Sequence, residues 1–300
     1  MAVQGVDLGD IAMPIANREL GITEYFPNGR FGMHTGKPVL MMLDEFTKAA
    51  EPVKHMLHPL LEASNPRLGD IPVHEESIIF LTGNLSSDGV GDVLKAHTRN
   101  RIIPLHVRKP DADEWLLWAA ANDIEPSVMA WVDRYRHALA SYTDEGQENN
   151  PYIFNPKKVQ TAFVSPRSLE RASHILKARE HIDHESLIAA LTGAIGEAGA
   201  RDMQAYVEYQ DQLPTWDSIT KSPESAPVPT SAGACAVMVF GAIHKIDKSN
   251  ISSFMKYLER LDAEWQACFC INIAKNPQKQ SVAFSSSAFA NWVQQNEDLL

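Results

Sequence analysis

Two adjacent carboxylates, Asp44 and Glu45, directly follow a run of five apolar residues at 39–43. A run this short, apolar at every position and preceded by Pro38, is typical of a buried strand in a parallel sheet. Open α/β sheets bind ligands at the carboxyl ends of their strands, and two acids there can hold hydrated Mg²⁺ and orient a water molecule. The pattern also fits a strand that merely ends in a solvated acidic turn.

An amide and two cations follow in chain order. Asn84 comes at the end of a second predicted strand, which begins at Ser77 and has an apolar run at 78–81. An amide placed there can orient the water that attacks a terminal phosphate, although Asn is also common simply because strands turn at such residues. Arg99 and Arg101 close a short helix predicted over 93–100. Cations at a helix end are ordinarily solvated and favoured by the helix dipole.

A third cation, Arg167, follows Ser165 and Pro166. Ser165 is a typical N-cap residue and Pro166 suits the first turn, so the pattern predicts a helix that begins here. A cation in the first turn is unfavourable unless an anion neutralises it. The position therefore indicates an anion site.

These side chains must be positioned by a parallel sheet and then by helices. The apolar runs predict strands at 39–43, 77–81 and 102–107, with a helix at 49–62 that Pro59 should kink or end early. Residues 1–37 have Gly, Pro and Asn punctuation and no strong period, so we expect loops and short elements there. From Pro110 onward the periodicity is helical, with a Pro- and Ser-rich linker at 211–229 and further helices beyond it. Asp111 or Asp113 should cap the first of these helices, and Ser127 should cap the next. We expect an α/β domain at 1–108, a helical domain at 109–222 and a helical extension at 223–300.

The order of these signals resembles the second half of an AAA+ ATPase, most closely of the MoxR type. The segment 40–45 matches Walker B, 82–84 matches sensor one, 100–101 matches the arginine finger, and 165–167 matches sensor two. The resemblance implies a partial αβα parallel-sheet sandwich at 1–108, followed by an all-α lid and a helical C-terminal region.

The resemblance also implies the chemistry, which is ATP hydrolysis with Mg²⁺. Asp44 would hold the metal through its water shell, and Glu45 would polarise the attacking water. Asn84 would orient that water, Arg101 would reach the nucleotide of a neighbouring subunit, and Arg167 would sense it from the lid. Proteins of this type form homo-oligomeric rings, usually hexamers, and remodel client proteins, often with a von Willebrand factor A domain partner.

The chain departs from the family in one respect: it contains no Walker A loop. Gly36-Lys37 imitates the end of one, but Phe31 stands where the motif requires Gly, and Pro38 follows the lysine in place of Ser or Thr. We therefore expect the 300 residues alone to hydrolyse ATP poorly or not at all. A strand followed by an in-frame Walker A motif upstream of Met1 would favour a motor; a non-hydrolysing assembly subunit is the alternative.

The amino-acid composition indicates which kind of protein this is. With 44% hydrophobic and 22% charged residues the chain is typical of a soluble globular protein, and its N-terminus lacks the pattern of a secretory signal. Its three cysteines form no even framework, so we expect a location in the reducing cytoplasm. The net charge of −11 argues against broad attraction to nucleic acid or an acidic membrane. The three cysteines have no metal-ligand spacing, and we expect the histidine pairs to be solvated. The histidines in question are His55 with His58 and His181 with His184.

Overall fold

A computed structural model describes residues 1–84 and 94–296. It divides into two compact units, Met1–Val107 and Arg108–Leu300, a division one residue from the predicted boundary. About 52% of the chain is helical and the parallel sheet is small, so the predicted mixed α/β class with a helical C-terminal region is confirmed. A complete αβα sandwich is not formed by the described residues.

The first unit is built around two parallel strands, β3 (Leu40–Leu43) and β6 (Ile78–Leu81). Leu40 is opposite Ile78 and Leu43 is opposite Leu81. Residues 1–3 lie along the other edge of β3, where the Val3 amide donates to the Asp44 carbonyl at 3.0 Å. Both apolar runs therefore form strands as predicted, and both end at the same edge of the sheet.

Shorter elements surround this sheet. The predicted helix at 49–62 is α2 (Glu51–Leu57) followed by a 3₁₀ turn, His58–Leu61, so the expected effect of Pro59 is confirmed. The helix predicted at 93–100 is α3 (Ala96–Arg99); its predicted first residue lies outside the described ranges. A single helical turn, α1 (Leu8–Ile11), and a small ribbon of β4 (Arg67–Leu68) and β5 (Ile71–Pro72) complete the set.

An antiparallel hairpin near the N-terminus was not anticipated. Its strands are β1 (Ala12–Asn17) and β2 (Ile22–Pro27), with Ala12 opposite Pro27. We expected only loops and short elements over 1–37. The hairpin is joined to the turn between β4 and β5, because the Tyr25 amide donates to Asp70 at 2.6 Å and the Asp70 amide donates back at 2.9 Å.

Among residues 1–84 and 94–296, only one face of the parallel sheet is covered. Met41 and Leu43 are buried with Phe46, Val53 and Leu57 in the core of the first unit. The side chains that alternate with them point to the opposite face, which is exposed: Leu40 (72%), Met42 (40%), Ile78 (62%) and Phe80 (40%). The prediction of strands buried on both faces is therefore wrong for this face.

The prediction of a third strand at 102–107 is also wrong. These residues form no ladder, and Ile103, Leu105 and Val107 are 89%, 82% and 93% exposed. The side chains keep the alternation of a strand, but a strand exists only where backbone groups pair with a neighbour. No described segment pairs with 102–107, and β6 pairs only with β3 within the described ranges.

The second unit is helical and has one continuous core. Its first half holds α4 (Ala112–Ala121), α5 (Pro126–Arg134), α6 (Pro166–Lys177) and α7 (His184–Asp211). Its second half holds α8 (Trp216–Lys221), α9 (Ala232–Lys245), α10 (Ile251–Leu258), α11 (Ala263–Lys275), α12 (Gln280–Ala283) and α13 (Ser287–Gln295). The core continues across the boundary predicted near residue 222, because α9 packs against α5 and α7.

Of the two helix caps predicted at the start of this unit, one is confirmed and one is wrong. Asp111 caps α4 in a capping box with Glu114, as predicted for this position. Ser127 does not cap α5; it lies inside the helix, is buried, and donates to Gln210 at 2.6 Å. All six tryptophans of the chain lie in this unit. None of the helices in the described ranges has both the length and the apolar character needed to span a bilayer.

Candidate functional site

The ends of β3 and β6 are joined through the hydroxyl of Thr82. The Thr82 hydroxyl donates to the Asp44 carboxylate, and the Thr82 hydroxyl oxygen accepts from the Glu45 amide at 3.2 Å. Backbone bonds continue the connection, from the Thr82 amide to the Leu43 carbonyl at 3.0 Å and from the Phe46 amide to the Thr82 carbonyl at 2.9 Å. The Asp44 carboxylate is therefore held in one orientation at the sheet edge.

Glu45 has a left-handed backbone conformation, with φ of 55°. For a residue with a Cβ this conformation costs about 1–2 kcal/mol, and strain of this kind clusters at functional sites. The turn directs the chain from β3 into the 3₁₀ turn Phe46–Lys48. The Glu45 carboxylate then forms an ion pair with Lys48, with Oε1 2.7 Å from Nζ.

Asn84 is exposed and follows Thr82 by two residues at the end of β6. The register ends with Leu43 opposite Leu81, and Thr82 bonds to Asp44 and Glu45 just beyond it. The two strands end side by side, and the role of Asn84 toward an attacking water stays a prediction. Sequence reasoning assigned no role to Thr82, which is the residue that physically connects them.

Gly83 lies so close to the side chain of Thr47 that it leaves no room for a Cβ atom. A Cβ at this position would lie 2.5 Å from Cγ2 and 2.9 Å from Oγ1 of Thr47, whose side chain is buried. Glycine is therefore required between Thr82 and Asn84 for a steric reason.

We expect Gly83→Ala to destabilise the first unit by about 1–3 kcal/mol, because the added methyl group overpacks this contact. Amide hydrogen exchange of β3 and β6 would measure the change. Thr47→Ala removes both clashing atoms, so the double variant should recover most of the lost protection. Equal losses in the Gly83→Ala variant and the double variant would contradict the steric explanation.

Arg101 lies two residues beyond the end of α3 and is already paired. Its Nε donates to Glu62 at 2.7 Å and its Nη1 donates to the His97 carbonyl at 2.9 Å. Both partners of the Glu62 pair are partly exposed, and such pairs contribute only about 0–1 kcal/mol. Arg101 can therefore leave Glu62 for a stronger anion at small cost.

His58 lies beside this arginine. Its Nε2 is 2.7 Å from the Thr98 hydroxyl, and its ring is 4.7 Å from that of His97. Burial lowers the pKa of His58, and the cationic forms of His97, Arg101 and His55 lower it further. The lowered pKa disfavours the cationic form of His58 beside Arg101.

Arg167 lies in the second unit, at the start of α6. Ser165 caps α6 in a capping box with Ser168, Pro166 is the first helical residue, and the exposed Arg167 is the second. The predicted start of the helix is confirmed. The role of Arg167 toward a nucleotide stays a prediction.

Gly36 and Lys37 lie in no phosphate-binding arrangement. Gly36 has φ of 64° and ends the 3₁₀ turn Met33–Thr35, after which the chain enters β3. A phosphate loop follows a strand and opens a helix, so the rejection of this segment agrees with the structure.

The described residues contain no group of three or more His, Cys, Asp or Glu side chains suited to a metal ion. Mg²⁺ does not require one, because it is usually held by one or two carboxylates together with water and substrate phosphates. The Asp44 carboxylate, held by the Thr82 hydroxyl, could be the single protein ligand of such a site. Two further contacts, Lys48 to Glu45 and Glu62 to Arg101, were missed: the first has a sequence signal in its i,i+3 spacing, whereas the second joins residues 39 apart.

Comparison of the chain with family models, with curated proteins and with solved structures gave no match.

Proposed function

We propose that this protein is the ATP-binding and ATP-hydrolysing core of a remodelling ATPase of the AAA+ class, similar to the MoxR type. One observation carries the proposal: two adjacent parallel strands end together, one in Asp44-Glu45 and the other in Thr82-Gly83-Asn84, with Thr82 bonded to Asp44. Ligands of open parallel sheets bind at this edge. A solvated acidic turn would not need a carboxylate fixed by the neighbouring strand.

The residues at this edge suit the steps of phosphoryl transfer to water. Asp44 would bind Mg²⁺ through water, and the metal would neutralise phosphate charge. Glu45 would accept a proton from the attacking water once its carboxylate leaves Lys48, an exchange that costs little for a partly exposed pair. The exposed Asn84 amide would orient that water.

Two arginines would supply positive charge from outside this edge. Arg101 would reach a terminal phosphate of a neighbouring subunit, as an arginine finger does, and Arg167 would respond to the nucleotide from the helical unit. Both roles follow from the resemblance. They imply a cytoplasmic homo-oligomeric ring, with six subunits the expected number, that acts on client proteins with or without a von Willebrand factor A domain partner.

A non-hydrolysing assembly subunit is the second candidate, and two ion pairs favour it. Glu45 is paired with Lys48 and Arg101 with Glu62, so both groups needed for turnover are engaged. A subunit that only keeps ring surfaces would retain these pairs in all states.

The test is magnesium-dependent ATP turnover by protein expressed with any in-frame coding sequence upstream of Met1, compared with the 300-residue chain. The longer protein should bind and hydrolyse ATP, whereas the 300 residues should turn over little, because they contain no glycine loop to neutralise the triphosphate. In the longer protein, Glu45→Gln should retain ATP binding and lose turnover by about 10²-fold or more.

Glu75→Gln is the matched control, because Glu75 is an exposed carboxylate of the same unit in the connection before β6. It should leave turnover unchanged. ATP binding without turnover in the unaltered longer protein would favour the assembly subunit. Turnover by the 300 residues that Glu45→Gln abolishes would show that the phosphate site is built from residues assigned here to loops.

A further inference from the structure

The second unit contains a groove of about 260 Å³ that the proposed ATPase chemistry does not use. Its floor is apolar and comes mainly from α9, with Val237, Met238 and Ala242, and from Ile219 of α8. Three of these side chains, Val237, Ala242 and Ile219, are 1% exposed, so the floor is part of the packed core and keeps its shape. The volume is suited to a body of one or two rings.

The rim of the groove is cationic. Lys245, from the last turn of α9, has its ammonium group 5.9 Å from the centre of the Trp216 ring. Arg179 lies on the same groove, and its Nη2 donates to Asp211 at 2.5 Å. Its Nη1 is buried and has no hydrogen-bond partner within the described part of the chain.

The guanidinium of Arg179 is therefore incompletely satisfied. A buried donor without an acceptor is unfavourable, and a small shift of the guanidinium toward the groove would let an anionic oxygen accept from it in a charge-assisted bond. Two carboxyl groups are near Arg179. Asp211 is 63% exposed and engages only Nη2, and burial raises the pKa of Glu125.

We propose that this groove binds a small planar anion, whose apolar rings lie on the floor beside Trp216 and whose acidic group is held by Arg179 and Lys245. Charge complementarity selects the anion, because both ionic groups of the lining are cations. The indole ring and the apolar floor select a flat, hydrophobic body over a sugar or a free inorganic ion.

Isothermal titration calorimetry of the 300-residue chain with naphthoate tests the proposal, with the neutral isostere naphthamide as the comparison ligand. Naphthoate should bind one site per chain, and naphthamide should bind at least tenfold more weakly. Arg179→Gln and Lys245→Gln should each weaken naphthoate binding about tenfold or more without a matching effect on naphthamide.

Lys221→Gln is the matched control, since Lys221 is a lysine of α8 that is paired with Asp217 and does not line the groove. It should leave naphthoate binding unchanged. Asp211→Asn keeps Arg179 and removes its carboxylate partner, so binding should be retained or tightened, which separates the role of the cation from that of the ion pair. Absent or unsaturable binding, equal affinity for naphthamide, or equal affinities of the Lys245→Gln and Lys221→Gln variants would overturn the proposal.

Discussion

Trp131→Ala is expected to lower the free energy of unfolding of the second unit by about 3–5 kcal/mol. Trp131 is fully buried in α5, stacked 5.3 Å from Tyr135 and edge-on 5.4 Å from Tyr152. Alanine would leave a cavity in the centre of the helical core, and the surrounding rings can close it only in part. Domains are stable by about 5–15 kcal/mol, so this loss would remove a large share of the total.

Urea denaturation followed by far-ultraviolet circular dichroism would measure the change. Trp131→Phe is the matched control, because it keeps an aromatic ring and removes an indole N–H that has no hydrogen-bond partner among the described residues. It should cost clearly less than Trp131→Ala, because the cavity that phenylalanine leaves is smaller. A loss below about 1 kcal/mol for Trp131→Ala would mean that the core is less well packed at α5 than the structure indicates.

Gly196→Ala should have the second large effect, a loss of about 2–3 kcal/mol. Gly196 interrupts α7 with φ of 81° and ψ of 164°, a conformation that only glycine adopts readily. A Cβ at this residue would also lie 2.8 Å from the Ala162 carbonyl oxygen. The break in α7 lets the Ala162 carbonyl approach the helix closely. The substitution must therefore distort either α7 or the loop that carries Ala162.

Gly193 provides a matched control three residues earlier in the same helix. It is helical, and no atom lies within 4 Å of its added Cβ. Gly193→Ala should therefore leave stability unchanged or raise it by up to about 1 kcal/mol, because alanine has the higher helix propensity. Urea midpoints that shift equally and in the same direction for both variants would contradict the assignment of a required break at Gly196.

The parts of the fold that could be predicted are those specified by adjacent residues. The runs before Asp44 and Asn84 are apolar at successive positions, and the paired strands place both ends at one edge. Ser165 and Asp111 cap helices because a capping side chain bonds to an amide three residues away. The caps are local contacts, so the sequence alone specifies them, whereas the pairing of the two strands joins residues 38 apart and follows from their shared apolar character.

What could not be predicted depends on partners distant in sequence. The segment 102–107 has strand alternation but no described neighbour to pair with, and its side chains remain exposed. The first hairpin was missed because Pro14 lies inside β1, where a residue without an amide donor argues against a strand. The pairing of Arg101 with Glu62 depends on packing between elements, which no spacing in the sequence encodes.

The location of all six tryptophans in the second unit has a spectroscopic consequence. Intrinsic tryptophan emission originates only from the helical unit, whereas Asp44, Glu45, Asn84 and Arg101 all lie in the unit without an indole chromophore. A change of emission on addition of nucleotide would therefore report either direct contact with the helical unit or a response transmitted past residue 107. A ligand in the Trp216 groove would alter emission directly, so the spectrum of one sample distinguishes an isolated event in the first unit from an event that involves the second.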